Sequence, residues 1–406
     1  MKQQTKFKQT EMGKIPEDWK IENLKKVCQL IFSGGTPSTQ VEEYWNGNLR
    51  WLSSGETRQT FIRDTERKIT QTGVNNSSTR LAKIEDVVVA GAGQGYTRGQ
   101  PSICLIDTYI NQSVVALRSN KDKINPFFLF YNLLSRYNEL RQLSDAHSSR
   151  GSLTTKLLAE LPIKLPPLKE QEIVAKILSG LDFKIDLTNK MNKTLEAIGQ
   201  AIFKRWFVDE RKDEWKEGKL GDLGEFKNGI NYLRDEAGDT EFSIVNVRDI
   251  SNNKWILEEP LDKIKINYDK AKDYFLNERD IILARSACPG KISLIFGFPK
   301  NIIYSGFSIR YRLKDLDNYY YISFVLEDLD KEIRNFSVGT TLSSVNQETL
   351  KNIKIILPDK NLIDYFNKLI QPIFNQISVN CFESLKIAKI RDSLLPKLMS
   401  GEIRVK

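Results

Sequence analysis

An internal duplication constrains this chain more than any other feature. Residues 153 to 207 and 345 to 399 align in one ungapped register, each position plus 192. Leu161-Pro162-Ile163-Lys164-Leu165-Pro166 falls on Ile353-Lys354-Ile355-Ile356-Leu357-Pro358, Leu181 on Ile373 and Ile202 on Leu394. Upstream the echo continues with small gaps: Trp19 and Leu24 match Trp215 and Leu220, and Glu85-Asp86-Val87-Val88-Val89-Ala90 matches Arg279-Asp280-Ile281-Ile282-Leu283-Ala284. Solenoid units run roughly 20 to 50 residues, so a repeat this long implies two bodies, each large enough to hold its own core.

Each copy has the same two parts. The first is mixed. In copy one, Val87-Val88-Val89-Ala90, Ser102-Ile103-Cys104-Leu105-Ile106 and Ser113-Val114-Val115-Ala116-Leu117 read as buried strands. Polar loops separate them, and a helix is expected at Phe127 to Leu134. Copy two answers with strands at Ile244 to Val247, Ile281 to Ala284 and Ile292 to Ile295, and a helix around Tyr319 to Phe324. The second part reads as one long helix. Apolar residues recur at Ile177, Leu181, Ile185, Met191, Leu195, Ile198 and Ile202, with Thr188 filling the gap. That is a helix face with coiled-coil-like spacing. In copy two the face is Leu362, Phe366, Leu369, Ile373, Ile377, Cys381, Leu385 and Ala388, with Pro372 predicting a kink. The simplest way to cover both stripes is to pack the helices on each other, antiparallel. The rival is that each covers only its own domain. The expected architecture is therefore α+β: two mixed α/β domains related by a pseudo-two-fold, separated and joined by two long antiparallel helices. The boundaries read as 1–165, 166–212, 213–357 and 358–406.

The formal net charge of +9 fits a polyanionic partner, because phosphate neutralisation drives most non-specific nucleic-acid affinity; a solvated Lys-rich surface is the alternative. No apolar run reaches the roughly 20 residues of a membrane span, and the start lacks a signal-peptide core. Cys28, Cys104, Cys288 and Cys381 are scattered, which fits small buried hydrophobes in a reducing cytosol. The single histidine, His147, has no counterpart in copy two, so no repeated site can be built on it.

Three motifs imitate chemistry. Gly91-Ala92-Gly93-Gln94-Gly95 follows a strand, as in a dinucleotide or S-adenosylmethionine site, but that site needs a helix next, and another strand is expected instead. Asn125-Pro126-Phe127-Phe128 approaches the Asn-Pro-Pro-Tyr/Phe motif of amino-methyltransferases without its second proline; a helix start is the better reading. Pro358-Asp359 lacks the Asp/Glu-x-Lys that would complete a nuclease site. A duplicated basic protein without a catalytic set points to recognition. Two related domains can read two half-sites, as dimeric DNA readers do. Base-edge readout uses Arg, Lys, Asn and Gln. The candidates are Arg58, Arg63, Arg67, Gln94 and Arg98 in the first domain, and Asn231, Arg248, Asn252, Asn253, Lys254, Arg285 and Lys291 in the second. For each, a solvated surface charge is the competing assignment.

Four stretches carry a family resemblance. Gly13-Lys14-Ile15-Pro16-Glu17-Asp18-Trp19, with Ser33-Gly34-Gly35-Thr36-Pro37-Ser38 behind it, opens the first domain. Leu165-Pro166-Pro167-Leu168-Lys169-Glu170-Gln171 opens the first long helix, and Ala201-Ile202-Phe203-Lys204-Arg205-Trp206-Phe207-Val208-Asp209 closes it. Leu395-Pro396-Lys397-Leu398-Met399-Ser400-Gly401-Glu402-Ile403 closes the second. In this order, the chain resembles the specificity (S) subunit of type I restriction–modification systems along its whole length. The resemblance implies two target-recognition domains, each reading one half of a split asymmetric sequence in double-stranded DNA. It implies helices that set the distance between them and dock two modification (M) subunits. Ile177, Leu181, Ile185, Leu195, Ile202, Trp206, Leu369, Ile373, Ile377 and Leu385 are the candidates for the helix-pair and M-subunit interface. It implies no catalysis and no cofactor in this chain. S-adenosylmethionine and adenine-N6 methylation would belong to M, ATP and Mg to the restriction (R) subunits, and the location would be a bacterial or archaeal cytoplasm, with no membrane partner. The other readings are a self-contained DNA methyltransferase and a coiled-coil scaffold without a DNA role. One departure stands out: the Glu170-Gln171 pair has no counterpart in copy two, so the second helix start should pack differently.

Overall fold

A computed structural model describes residues 6–93, 95–146, 151–232, 238–297, 299–337 and 345–405, and of residues 330–337 it describes the backbone alone. Gln94 and His147 lie outside the described residues. The chain divides into two compact units, residues 1–186 with 386–406, and residues 187–385.

The same sheet is built in both units. In the first, five strands run in the order Cys28–Ser33, Val114–Ser119, Val87–Ala90, Pro101–Cys104 and Phe61–Ile62. In the second, the order is Gly224–Asn228, Ser308–Leu313, Ile281–Ala284, Ile292–Ile295 and Trp255–Ile256. Neighbours are antiparallel except the last pair, parallel in each unit. The central strands are buried on both faces, which is why they read as unbroken apolar runs rather than alternating ones. A smaller sheet accompanies each: four strands around Trp45–Leu52 in the first unit, three around Thr240–Val245 in the second. The strand expected over Ile244 to Val247 ends at Val245, because Asn246 caps the helix Val247–Asn252, its backbone N–H donating to Asp249 Oδ2 at 2.8 Å.

A part-buried ion pair recurs at equivalent positions. Arg118 donates to both oxygens of Asp86 at 3.0 and 2.7 Å and to the Leu81 carbonyl. Arg312 donates to both oxygens of Asp280 at 2.8 and 2.6 Å and to the Phe275 carbonyl. Each carboxylate also accepts from the backbone N–H three residues earlier, Lys83 and Asn277. The residue before each aspartate, Glu85 or Arg279, has φ of 70° or 65°, a left-handed conformation uncommon outside glycine. The hydrogen bonds to the aspartates hold both guanidinium groups above the ordinary arginine value, against the opposing effect of burial.

Two long helices follow the mixed parts: Leu168–Phe203, continued by a π-helical turn over Lys204–Asp209, and Lys360–Ser400. The second continues through Pro372 without a break in helix. In the first unit their segments run antiparallel, with Asp182 meeting Arg391 and Glu170 meeting Arg404 just beyond the end of the second helix. In the second unit Asn192 meets Asn380 and Phe203 meets Phe366, again antiparallel. The helices also cover their own units. Val174 and Leu178 join the core with Phe128 and Leu129, and Phe183 stacks on Phe61 at 4.5 Å. Each fully buried side chain of this size contributes about 1.5–3 kcal/mol.

The most deeply buried face of the first helix is not the stripe at Ile177, Leu181, Ile185, Leu195 and Ile202, which are half-buried, nor Met191 and Ile198, which are exposed. It runs through Gln171, Val174, Leu178, Asp182, Thr188, Asn192, Gly199, Phe203 and Phe207. The shift arises because this face carries polar groups that find partners. Asp182, 4% exposed, accepts from the Tyr131 hydroxyl at 2.6 Å and from Arg391 Nη1 at 2.5 Å. Asn380 donates to Asn192 Oδ1 at 2.7 Å, and Asn192 donates to the Cys381 sulfur. On the second helix Ile363, Phe366, Ile370, Phe374, Ile377 and Asn380 are buried, Ile373 and Leu385 are half-buried, and Leu369 is 47% exposed.

The two helix starts differ where the Glu-Gln pair is missing. Glu170 accepts from the Trp19 indole N–H and from Arg404, which also pairs with Asp18. Gln171 ties down Asn125 N–H and the Lys123 and Pro166 carbonyls. In the second unit Leu362 and Ile363 stand in their places, and among the described residues the buried Trp215 indole N–H has no hydrogen-bond partner. Trp215, Leu362 and Lys212 line a cleft of about 590 Å³ there. Of the cysteines, Cys104 is buried, while Cys28, Cys288 and Cys381 are half-buried rather than core residues.

Candidate nucleic-acid interface

The decoy motifs resolve into structural roles. A strand, Pro101–Cys104, follows the loop that starts at Gly91. Asn125 caps the helix Pro126–Ser135, its side chain accepting from Phe127 and Phe128 N–H, and Pro126 sits at the helix start, where its missing N–H costs nothing. Among the described residues no group of three or more His, Cys, Asp or Glu side chains is placed to hold a metal ion.

In the first unit, Arg58, Arg63 and Arg67 lie along one stretch of the chain, each engaged within the protein. Arg58 ends a short 3₁₀ turn and pairs with Glu66 at 3.1 Å, both largely exposed. Arg63 pairs with Asp186 of the long helix at 2.9 Å. The Arg67 guanidinium lies 3.6 Å over the Trp45 ring. Exposed ion pairs of this kind contribute about 0–1 kcal/mol, so Arg58 can leave its partner for a phosphate or a base at little cost. Arg98 is different. It is 6% exposed and paired with Asp145, so its guanidinium is part of the fold and not an accessible reading group.

In the second unit the candidates form two groups. Arg248, Asn252 and Asn253 surround the helix Val247–Asn252, and Lys291 donates to the Ser251 carbonyl at 2.5 Å. Arg248 is exposed and pairs with Asp262 at 2.8 Å, and that hydrogen bond raises its pKa above the usual arginine value. Lys254 belongs elsewhere: it pairs with Glu327 at 2.7 Å and sits over Trp255. The second group brings Asn231 and Arg285 beside a residue that composition does not single out, Phe307. Arg285 N–H donates to the Phe307 carbonyl at 2.9 Å. A side-chain carbon placed on Gly306 would lie 2.1 Å from Asn231 Oδ1, so the asparagine side chain covers that glycine. Phe307 is 67% exposed. The equivalent end of the first unit carries Thr36 and Gln112, whose side chains hydrogen-bond to each other.

On the helices, Trp206 is half-buried and lies tilted against Phe366, with ring centroids 6.2 Å apart. Leu187, Met191, Ile198, Val208, Leu369, Val379, Phe382 and Ile390 are large apolar side chains left exposed along the two helices and the turn after the first. No helix among the described residues is long and apolar enough to cross a membrane.

Comparison with known proteins agrees with this duplicated architecture. The chain is 30% identical to the type I restriction enzyme MjaIX specificity subunit of Methanocaldococcus jannaschii, over 99% of this chain and 97% of that protein. It is 24% identical to a putative type I restriction enzyme MjaX specificity subunit of the same organism, over 98% and 97%. Its fold resembles the crystal structure of a type I restriction–modification system S subunit from M. genitalium, with a TM-score of 0.57, 15% identity, and coverage of 94% of this chain and 96% of that one. The family model for the type I restriction modification DNA specificity domain matches twice, over residues 16–197 and 212–389, and the chain belongs to that family.

Proposed function

We propose that this protein is the DNA sequence-recognition subunit of a type I restriction–modification complex, without catalysis of its own. Residues 1–165 and 213–357 each read one half of a bipartite, asymmetric target in double-stranded DNA. The helical segments 166–212 and 358–406 set the spacing between half-sites and dock two M subunits. The M subunits supply S-adenosylmethionine and methylate adenine N6. R subunits, where present, supply ATP- and Mg-dependent translocation and cleavage, and the complex works in a bacterial or archaeal cytoplasm.

One observation carries this reading. The two units share a backbone down to equivalent Arg–Asp clamps, yet their exposed loops carry different polar and aromatic side chains. A shared frame with divergent tips is what two readers of unlike half-sites require. The exposed apolar residues of the long helices, including Leu369, supply the surface for M. Arg58, Arg67, Asn231, Arg248, Asn252, Asn253 and Arg285 are the candidates for base or phosphate contact.

The test is to co-express the chain with its M subunit and map N6-methyladenine across the host genome. A split motif with a constant gap is expected. Replacing residues 20 to 150 with the corresponding stretch of a relative should change one half of that motif only. Methylation or cleavage by the purified chain alone, or DNA binding by the S–M complex that ignores salt, would overturn the reading, since phosphate contacts impose a steep salt slope.

A further inference from the structure

One end of the main sheet repeats its backbone hydrogen bonds in both units while exchanging nearly every side chain. In the first unit Gly91 N–H donates to the Ser113 carbonyl at 2.7 Å, and Leu153 N–H donates to the Gly91 carbonyl at 2.7 Å. In the second unit Arg285 N–H donates to the Phe307 carbonyl at 2.9 Å, and Val345 N–H donates to the Arg285 carbonyl at 3.0 Å. The edge strand closes the frame in the same way. Gly35 N–H donates to Ile110, and Ile230 N–H donates to Tyr304. Preceding these are Gly34 and Gly229, where a Cβ would fall 1.9 and 2.2 Å from the carbonyl oxygens of Ile110 and Ser305. Only glycine fits that approach in either copy, so the frame is held in both.

The side chains on this frame are unlike. Where the first unit has Thr36, Gly91, Gln112 and Ser113, the second has Asn231, Arg285, Gly306 and Phe307. A single exposed apolar residue is ordinary on a protein surface. Phe307 differs in its company. It lies on a loop end with an arginine and an asparagine, the residue types that bond bidentately to guanine and adenine edges, while a phenyl ring accepts the thymine methyl in the major groove. The counterpart tip in the first unit is small and polar, with Thr36 bonded to Gln112.

We infer that the tip formed by Asn231, Arg285 and Phe307 is the base-reading head of the second unit, and that Phe307 is a specificity-determining residue through apolar contact with a base edge in duplex DNA. The inference rests on the recognition role proposed above. The homologous tip of the first unit, Thr36, Gln112 and Ser113, reads the other half-site with polar contacts alone.

The experiment uses the S–M complex in a host lacking other adenine methylation. Its methylated motif is mapped for the wild type, Phe307→Ser, Asn231→Ala and Ser113→Phe. Phe307→Ser and Asn231→Ala should each cut discrimination on the order of 10- to 100-fold at one or two positions of the half-site read by the second unit, leaving the other half and the gap unchanged. Ser113→Phe should disturb only the first unit's half. Phe307 and Asn231 are exposed, so thermal unfolding of those two variants should stay close to wild type, and the half-buried Ser113 makes the unfolding curve of Ser113→Phe the control for its fold. If the wild type shows a split motif and all three variants keep it unchanged, the inference fails while the recognition role stands. If the wild type shows no split motif, the recognition role itself fails. Loss of M binding, or equal weakening of both halves by Phe307→Ser, would assign the ring to a protein contact and overturn the inference.

Discussion

Removing Arg391 measures what the polar face between the helices contributes. The guanidinium is 21% exposed at its side chain and reaches an Asp182 carboxylate that is almost wholly buried, with the Tyr131 hydroxyl as the other partner. Arg391 is held above its ordinary pKa: burial acts to lower it, but the Asp182 hydrogen bond and charge more than offset that. Deleting one member of a fully buried pair costs roughly 3–5 kcal/mol, mostly the stranded partner. Arg391 is partly solvated and also touches Asp392, so about 2–4 kcal/mol is the appropriate range. Arg391→Gly adds about 1 kcal/mol for glycine inside a helix. The second unit supplies the compensating design. Its equivalents of Tyr131, Asp182 and Arg391 are Phe324, Phe374 and Gly199, and a Cβ on Gly199 would meet Phe324 at 2.8 Å. There, phenyl rings fill the space that a charge pair fills in the first unit. The triple change Tyr131→Phe, Asp182→Phe, Arg391→Gly should therefore recover most of the loss, because replacing a buried pair with apolar groups of similar volume is often neutral. Urea unfolding followed by circular dichroism, with tryptophan fluorescence as a second probe, reads both variants. A cost under about 1 kcal/mol for Arg391→Gly would refute the argument that Asp182 depends on this cation.

Three further outcomes can be checked. Inserting four residues between Thr188 and Ala201 lengthens the helix by roughly 6 Å and should widen the gap in the methylated motif by about two base pairs; an unchanged gap would refute the spacer role. Leu362→Glu places a carboxylate where Glu170 stands in the first unit, beside the unpartnered Trp215 indole and Lys212, and should raise stability by about 0.5–1 kcal/mol; a lower melting temperature would mean the cleft already satisfies that N–H with water. Cys28, whose thiol is pushed up to about 12 by burial and then by the nearby Asp86 charge, should alkylate at pH 8 on the order of a thousandfold more slowly than a free cysteine, and faster as pH rises towards 12; rapid labelling in the native chain would count against the burial.

What was legible in the sequence, and what was not, divides along the range of the interactions. Val87 to Ala90 and Ile281 to Ala284 announce themselves because a strand buried on both faces needs apolar residues at every position. The long helices were legible from spacing, but the buried face was displaced by about one residue. Periodicity treats Asp182 and Asn192 as solvent residues. They are buried because Arg391 and Asn380, some 200 positions away in sequence, reach them in space, and no window on a single helix contains both partners. Arg98 failed as a reading candidate for the same reason: its partner Asp145 comes from a helix nearly fifty residues later. Lys254 likewise meets Glu327 far along the chain.

On the proposed function, the same division explains how one fold can serve two different half-sites. The groups that hold the frame, Arg118 with Asp86 and Arg312 with Asp280, are part-buried pairs with backbone carbonyls as third partners. Removing either partner would leave the other stranded in the sheet, so both copies keep them. The tip residues Gln112, Asn231 and Phe307 are exposed, and substitutions at exposed positions cost within about 0.5 kcal/mol of stability. Stability is therefore set at positions that cannot vary, and reading is set at positions that can vary at little cost. A duplicated chain built this way can change one half of its target without disturbing the fold of either unit.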